Sequence, residues 1–170
     1  MRVFVVRTVL ALLCLLALPA CKNKAREARR AELTALMHGV TADPEMKAAM
    51  EKAQATVPEF LKVLQNPAPN QKQFMVRKVF PAKDAPQQIL LVTGLRFDGT
   101  LIHGKLDDNT ARPGSGTPQD GQISFPPADI VDWMYNEDGK AVGGFMLRAL
   151  KSKMTEEEWA GVTRQITFKE

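Results

Sequence analysis

Cysteine is nearly absent from this chain: 170 residues hold two, Cys14 and Cys21, both near the start. Everything after residue 21 therefore lacks a disulfide and a thiolate ligand, so a folded domain there must rest on its hydrophobic core. Histidine is as scarce, with only His38 and His103, which leaves few candidates for an imidazole base or a metal cage. An excess of one charge is also missing. The net charge is +4, and without Arg2 and Arg7 the balance is 21 basic against 19 acidic residues, or +2. That balance is too even to point to nucleic acid. No phosphate loop or dinucleotide fingerprint is present, and Gly114-Ser115-Gly116 lacks the five-residue frame of a nucleophile elbow.

The one long apolar run lies at the N-terminus. Arg2 and Arg7 precede a continuous stretch from Val9 to Leu18, which is short for a membrane span and fits the core of a signal peptide. It leads into Leu18-Pro19-Ala20-Cys21, which resembles the lipobox of bacterial lipoproteins. The resemblance implies removal of residues 1–20, lipidation at Cys21 and a membrane-anchored protein. Several acyl chains would hold it firmly, since each buried methylene contributes about 0.8 kcal/mol. Lys22 follows the cysteine where enteric bacteria place Asp for inner-membrane retention, so the expected location is the periplasmic face of the outer membrane. Residues 21–42 read as a basic tether, partly helical, with Lys22, Lys24, Arg26, Arg29 and Arg30 against Glu27 over its first part.

The remaining segment, residues 43–170, carries the signals of a folded domain. Asp43-Pro44-Glu45 is a helix start, with a cap, a first-turn proline and an acid at the positive end. Met46, Ala49, Met50, Ala53, Val57, Phe60, Leu61 and Leu64 then recur at helical spacing. The stripe stays in phase across Pro58, which predicts one helix kinked there. Thr56 and Glu59 also have capping-box spacing.

Strands are expected over Phe74–Phe80, Gln88–Phe97, Thr100–Leu106, Gly121–Phe125, Ile130–Tyr135 and Val142–Arg148. Asp98-Gly99 is the strongest hairpin signal. Residues 107–120 form a polar loop, long for a compact domain. Thr155 and Glu158 form a second capping box, and Trp159, Val162 and Ile166 give a closing helix its apolar face. The fold class is α+β: an N-terminal amphipathic helix, a strongly bent antiparallel sheet or partial barrel of about six strands, and a short C-terminal helix.

Several of these pieces together resemble a bacterial family. Phe60-Leu61 ends a helix, Phe74-Met75-Val76-Arg77 opens a strand, and Gly104-Lys105-Leu106 and Gly121 begin later ones. Ile130-Val131-Asp132-Trp133 and Gly144-Phe145-Met146-Leu147-Arg148 follow. The pattern is similar to the YegJ-like bacterial domain of unknown function, domain of unknown function 2314. Gln87-Gln88-Ile89-Leu90 stands where that family commonly has a Glu-His pair and a Trp. The resemblance implies a fold and no reaction.

Candidate chemistry is sparse. His103 has no Cys, His or carboxylate at ligand spacing, and Asp107-Asp108-Asn109 lacks the distal Glu of a calcium loop. No catalytic residue, metal site or cofactor is indicated. Asp132 and Arg148, on strands expected to be neighbours, are the best polar pair, beside Trp133. They read either as a binding site for an anionic or peptide ligand or as an ion pair locking the core. The expectation is a non-enzymatic binding or interaction domain with a periplasmic protein as partner. The alternatives are an immunity protein against an antibacterial toxin and an envelope-polymer hydrolase.

Overall fold

The computed structural model describes residues 24–37, 42–80, 87–107 and 120–170. The chain divides into two compact units, Met1–Ala35 and Leu36–Glu170. Residues 24–37 are helical (α1). Cys21, His38 and most of the 107–120 loop lie outside the described residues.

Helix α2 spans Pro44–Ala55. The Asp43 carboxylate accepts hydrogen bonds from the N–H groups of Glu45 and Met46 at 3.0 and 3.1 Å, as the local sequence predicts. Helix α3 spans Val57–Gln65. The expected kink at Pro58 is instead a break at Thr56, whose φ of −105° and ψ of 6° leave the helical region. Thr56 does not cap α3; its hydroxyl donates back to the carbonyls of Lys52 and Ala53. The apolar stripe still runs through both helices, burying Met46, Ala49, Ala53, Val57, Phe60 and Leu64.

The strands are β1 (Gln71–Phe80), β2 (Gln88–Phe97), β3 (Ile102–Leu106), β4 (Gln122–Phe125), β5 (Ile130–Glu137), β6 (Lys140–Gly143) and β7 (Thr167–Phe168). They form one open sheet in the order β4-β3-β2-β1-β5-β6-β7, and the sheet does not close into a barrel. Pairing is antiparallel except between β6 and β7. Helix α2 packs on β5 and α3 packs on β2 and β5. The core between them is built from Phe60, Val76, Leu90, Val92, Ile102, Phe125, Ile130, Trp133 and Tyr135, among others.

Two aspartate–glycine turns connect neighbouring strands differently. Between β5 and β6, Asp138 and Gly139 have φ of 53° and 79°, and Glu137 pairs with Lys140. That is a two-residue connection matched to strand twist. Between β2 and β3, Gly99 has φ of 101° in a wider turn, in which Asp98 accepts from the N–H groups of Thr100 and Leu101.

The expected strand Val142–Arg148 is corrected. It ends at Gly143, and Phe145–Ala149 form a short helix, α4, followed by a 3-10 turn at Leu150–Lys153. Gly143 and Gly144 have φ of 80° and 67°, a conformation that ends a strand and is open to glycine. The closing helix α5 is Glu156–Thr163, with both hydrogen bonds of the Thr155–Glu158 capping box formed. Its face is only half-buried; Trp159 stacks on Phe168 of β7, with ring centroids 5.8 Å apart.

Candidate functional site

The family motif Ile130-Val131-Asp132-Trp133 sits where the sheet meets α2 and α4. Trp133 is 7% exposed and its ring stacks on Phe60 at 5.1 Å, with Phe145 edge-on at 5.4 Å. Its indole N–H donates to the Ala53 carbonyl at 3.1 Å and to the Thr56 hydroxyl at 3.2 Å. Those groups belong to the break between α2 and α3, so one side chain stitches the helical layer to the sheet.

Asp132, at 3% exposure, is the one buried charged residue among those described. One carboxylate oxygen accepts from the N–H groups of Trp133 and Phe145, both at 3.0 Å, and the other accepts from Met146 N–H at 3.2 Å. It thereby caps the start of α4 from β5, a task that Gly144 cannot perform. Burial pushes its pKa up from 3.8 to about 6, against the opposing pull of Arg77 and of the three N–H groups.

The cation facing Asp132 is Arg77, its register partner on β1, and not Arg148. Burial lowers the Arg77 pKa and the charge of Asp132 opposes that shift. One guanidinium nitrogen of Arg77, Nη1, is buried without a hydrogen-bond partner among the described residues. Arg148 gives its hydrogen bonds to the carbonyls of Gly143 at 2.9 Å and Lys169 at 2.8 Å. Its guanidinium also lies 4.4 Å from the centre of the Phe168 ring. It ties β7 to β6 and forms no ion pair with Asp132. The Asp132 carboxylate and the Trp133 indole N–H are thus engaged within the domain, and Arg148 is engaged apart from them, with the carbonyls of Gly143 and Lys169.

A second cluster lies on the other side of the sheet order, around His103, for which the sequence offered no carboxylate partner and the fold supplies Asp98. His103 on β3 stands directly across from Ser124 on β4. Its ring Nδ1 is 2.8 Å from the Ser124 hydroxyl, and its Nε2 is 2.7 Å from Asp98 Oδ2. The second oxygen of Asp98 is held by the turn N–H groups of Thr100 and Leu101, both at 2.8 Å. These bonds, that of His103 first, lower the Asp98 pKa well below the usual carboxylate range. Arg96, the register partner of His103 on β2, is exposed. With Gly94, Gly104, Gln122, Ile123, His103 and Ser124 it lines an open groove of about 510 Å³.

The hairpin signal at Asp98-Gly99 was the available clue to this cluster, since folding back at that turn brings residue 98 to residue 103. Nothing local could align Ser124, which arrives from beyond the long loop. Among the described residues no group of three or more His, Cys, Asp or Glu is placed to hold a metal ion. Among them, too, no helix is long and apolar enough to cross a membrane.

An open, largely antiparallel sheet with a helical layer locked on through an Asp-Trp motif defines a small α+β domain. The chain belongs to the family described as an uncharacterized protein conserved in bacteria (DUF2314), which matches residues 43–168. It is also 38% identical over 69 residues, 39% of this chain, to "Putative ankyrin repeat protein NMB1133/NMB1171" of Neisseria meningitidis serogroup B (strain ATCC BAA-335 / MC58). The match covers 26% of that protein's length. No solved structure matches.

Proposed function

We propose that this protein is a membrane-anchored periplasmic lipoprotein that works by binding a protein partner at the β3–β4 end of its sheet. The anchor rests on the charged start, apolar run and Leu18-Pro19-Ala20-Cys21 of the sequence. The observation that carries the binding reading is the position of β4. It is the outermost strand of the sheet, with exposed Gln122 and Ser124, and it lines the groove. Edge strands accept extended segments of other chains through main-chain hydrogen bonds. The exposed cations beside it, Arg96 and Lys105, favour an acidic segment. A delivered toxin neutralised in the periplasm is the most concrete partner of this kind.

The test is to identify periplasmic partners by cross-linking to the intact lipoprotein and then to measure affinity. Lys105→Glu, and separately a Gly-Ser replacement of residues 108–119, should each weaken capture at least tenfold with an unchanged melting temperature. Unchanged affinity in both variants would remove the β3–β4 end as the binding face.

A hydrolase acting on envelope polymers is the second reading. The Asp98–His103–Ser124 arrangement favours it, because it supplies the histidine, carboxylate and hydroxyl that such chemistry needs.

A further inference from the structure

Proton placement decides what the Asp98–His103–Ser124 cluster can do. An ionised carboxylate accepts hydrogen bonds and donates none. Asp98 is held ionised by three donors, His103, Thr100 and Leu101, so its bond to Nε2 at 2.7 Å requires the imidazole proton to sit on Nε2. A neutral imidazole then presents a lone pair at Nδ1. In that neutral form the contact of 2.8 Å between Nδ1 and the Ser124 hydroxyl is donated by the serine. The hydroxyl proton therefore points at a base whose tautomer is set by a carboxylate. The two ring nitrogens are used in the opposite sense to the familiar serine-hydrolase arrangement, and the roles are the same.

Access and charge complete the geometry. Ser124 is exposed and lines the groove. Arg96 lines it as well, and its side chain makes no hydrogen bond or ion pair among the described residues. It is a cation free to face negative charge developing in the groove.

We infer that Ser124 is a nucleophile that accepts an acyl group from carboxylic esters in this groove, with His103 as base, Asp98 as the residue that sets its tautomer, and Arg96 facing the oxyanion. This rests on the second reading above and does not require the β4 edge to bind a partner. As Ser124 Oγ bonds to the ester carbonyl carbon, its proton passes to His103 Nδ1. The carbonyl electron pair moves onto oxygen opposite Arg96. When it returns, the bond to the alcohol oxygen breaks, and that oxygen leaves with the proton from Nδ1. Water then attacks the acyl-serine by the same route in reverse, releasing the acid and restoring Ser124.

The experiment uses the full chain, extracted in detergent, with p-nitrophenyl butyrate as substrate and a fluorophosphonate probe to locate the reactive hydroxyl by peptide mass. The expected result is steady turnover with the probe adduct on Ser124, both lost in Ser124→Ala. His103→Ala should lower turnover by roughly 10²- to 10⁴-fold. Asp98→Asn is the sharper variant. Its amide oxygen still serves Thr100 and Leu101, while its NH₂ donates to Nε2 and moves the imidazole proton to Nδ1. Turnover should fall as far as in His103→Ala, with the melting temperature unchanged. Arg96→Met should lower kcat by roughly 10²- to 10³-fold with KM nearly constant. Wild-type turnover no faster than that of Ser124→Ala overturns the proposal, whatever the probe labels, and so does full activity in Asp98→Asn. Partner capture is scored on the wild-type protein by cross-linking, independently of turnover, so failure of this chemistry and failure of the binding reading are read separately.

Discussion

At the scale of single residues, two positions carry unusual constraint. Gly143 combines φ of 80° with a close approach: a Cβ added there would stand 2.3 Å from the Trp133 carbonyl oxygen and 2.6 Å from its ring. The first of these contacts is with backbone, so rotating a side chain cannot relieve it. Gly143→Ala should therefore cost more than the ~1–2 kcal/mol of a left-handed backbone alone, measured by denaturant midpoint against Gly139→Ala, where φ is also positive and the space is open. Asp132 is the other position. Its folded pKa of about 6 lies above the ordinary 3.8, so between these values the native state holds a proton that the unfolded chain has released. Stability contributed by this group should then be full below pH ~4, fall as pH rises to ~6 and level off, a change on the order of 2–3 kcal/mol. Unfolding free energies across that range test it: the difference between wild type and Asp132→Asn should carry this fall, while the opposite slope from Asp43, Glu45, Asp98 and Glu137, whose pKa values are lowered, stays in both. A double-mutant cycle should couple Asp132 to Arg77 well above the additivity error of ~0.5 kcal/mol, and more strongly than to Arg148.

Elements with local determinants behave as separable units. The turn from β2 to β3 depends on Gly99, at φ of 101° with open space around its Cα. A Cβ there meets nothing within 4 Å, so backbone strain dominates the cost of Gly99→Val, about 1 kcal/mol or more. An unchanged denaturation midpoint would contradict that account. The same substitution should loosen the approach of Asp98 to His103, so ester turnover and stability should fall together. Helix α4 shows the opposite dependence. It is five residues long, too short to show a helical period, and its capping carboxylate comes from Asp132 on β5. Nothing within Phe145–Ala149 announces a helix, and the β-forming residues around Gly143-Gly144 read as a strand.

For the whole molecule, the expectation concerns where the chain begins in the cell. If Cys21 is the lipidated N-terminus, the intact mass of membrane-extracted protein should lack residues 1–20 and carry acyl chains. Cys21→Ser should release or misprocess the protein. A mature chain that retains residues 1–20 would rule this out. The folded domain should be insensitive to that substitution, since none of its described joints involves a thiol. Its stability rests instead on the aromatic stack of Phe60, Trp133, Tyr135 and Phe74. Trp133→Ala, which removes the centre of that stack and two hydrogen bonds to the helix break, should cost about 3–5 kcal/mol.

The sequence by itself determined the α+β class, the family, the capped start of α2, the capping box of α5 and the turn at Asp98-Gly99. Each is written in residues a few positions apart: a carboxylate beside free N–H groups, a glycine where φ must be positive, an apolar stripe at helical spacing. Only the tertiary structure decided which cation faces Asp132, that Arg148 serves β7, and that His103 meets Ser124. Arg77 and Asp132 are brought opposite each other by the register between β1 and β5. His103 and Ser124 lie 21 residues apart and depend on the register between β3 and β4. A slip of one residue in either ladder would turn every side chain to the other face, and no local interaction in the sequence specifies which register forms.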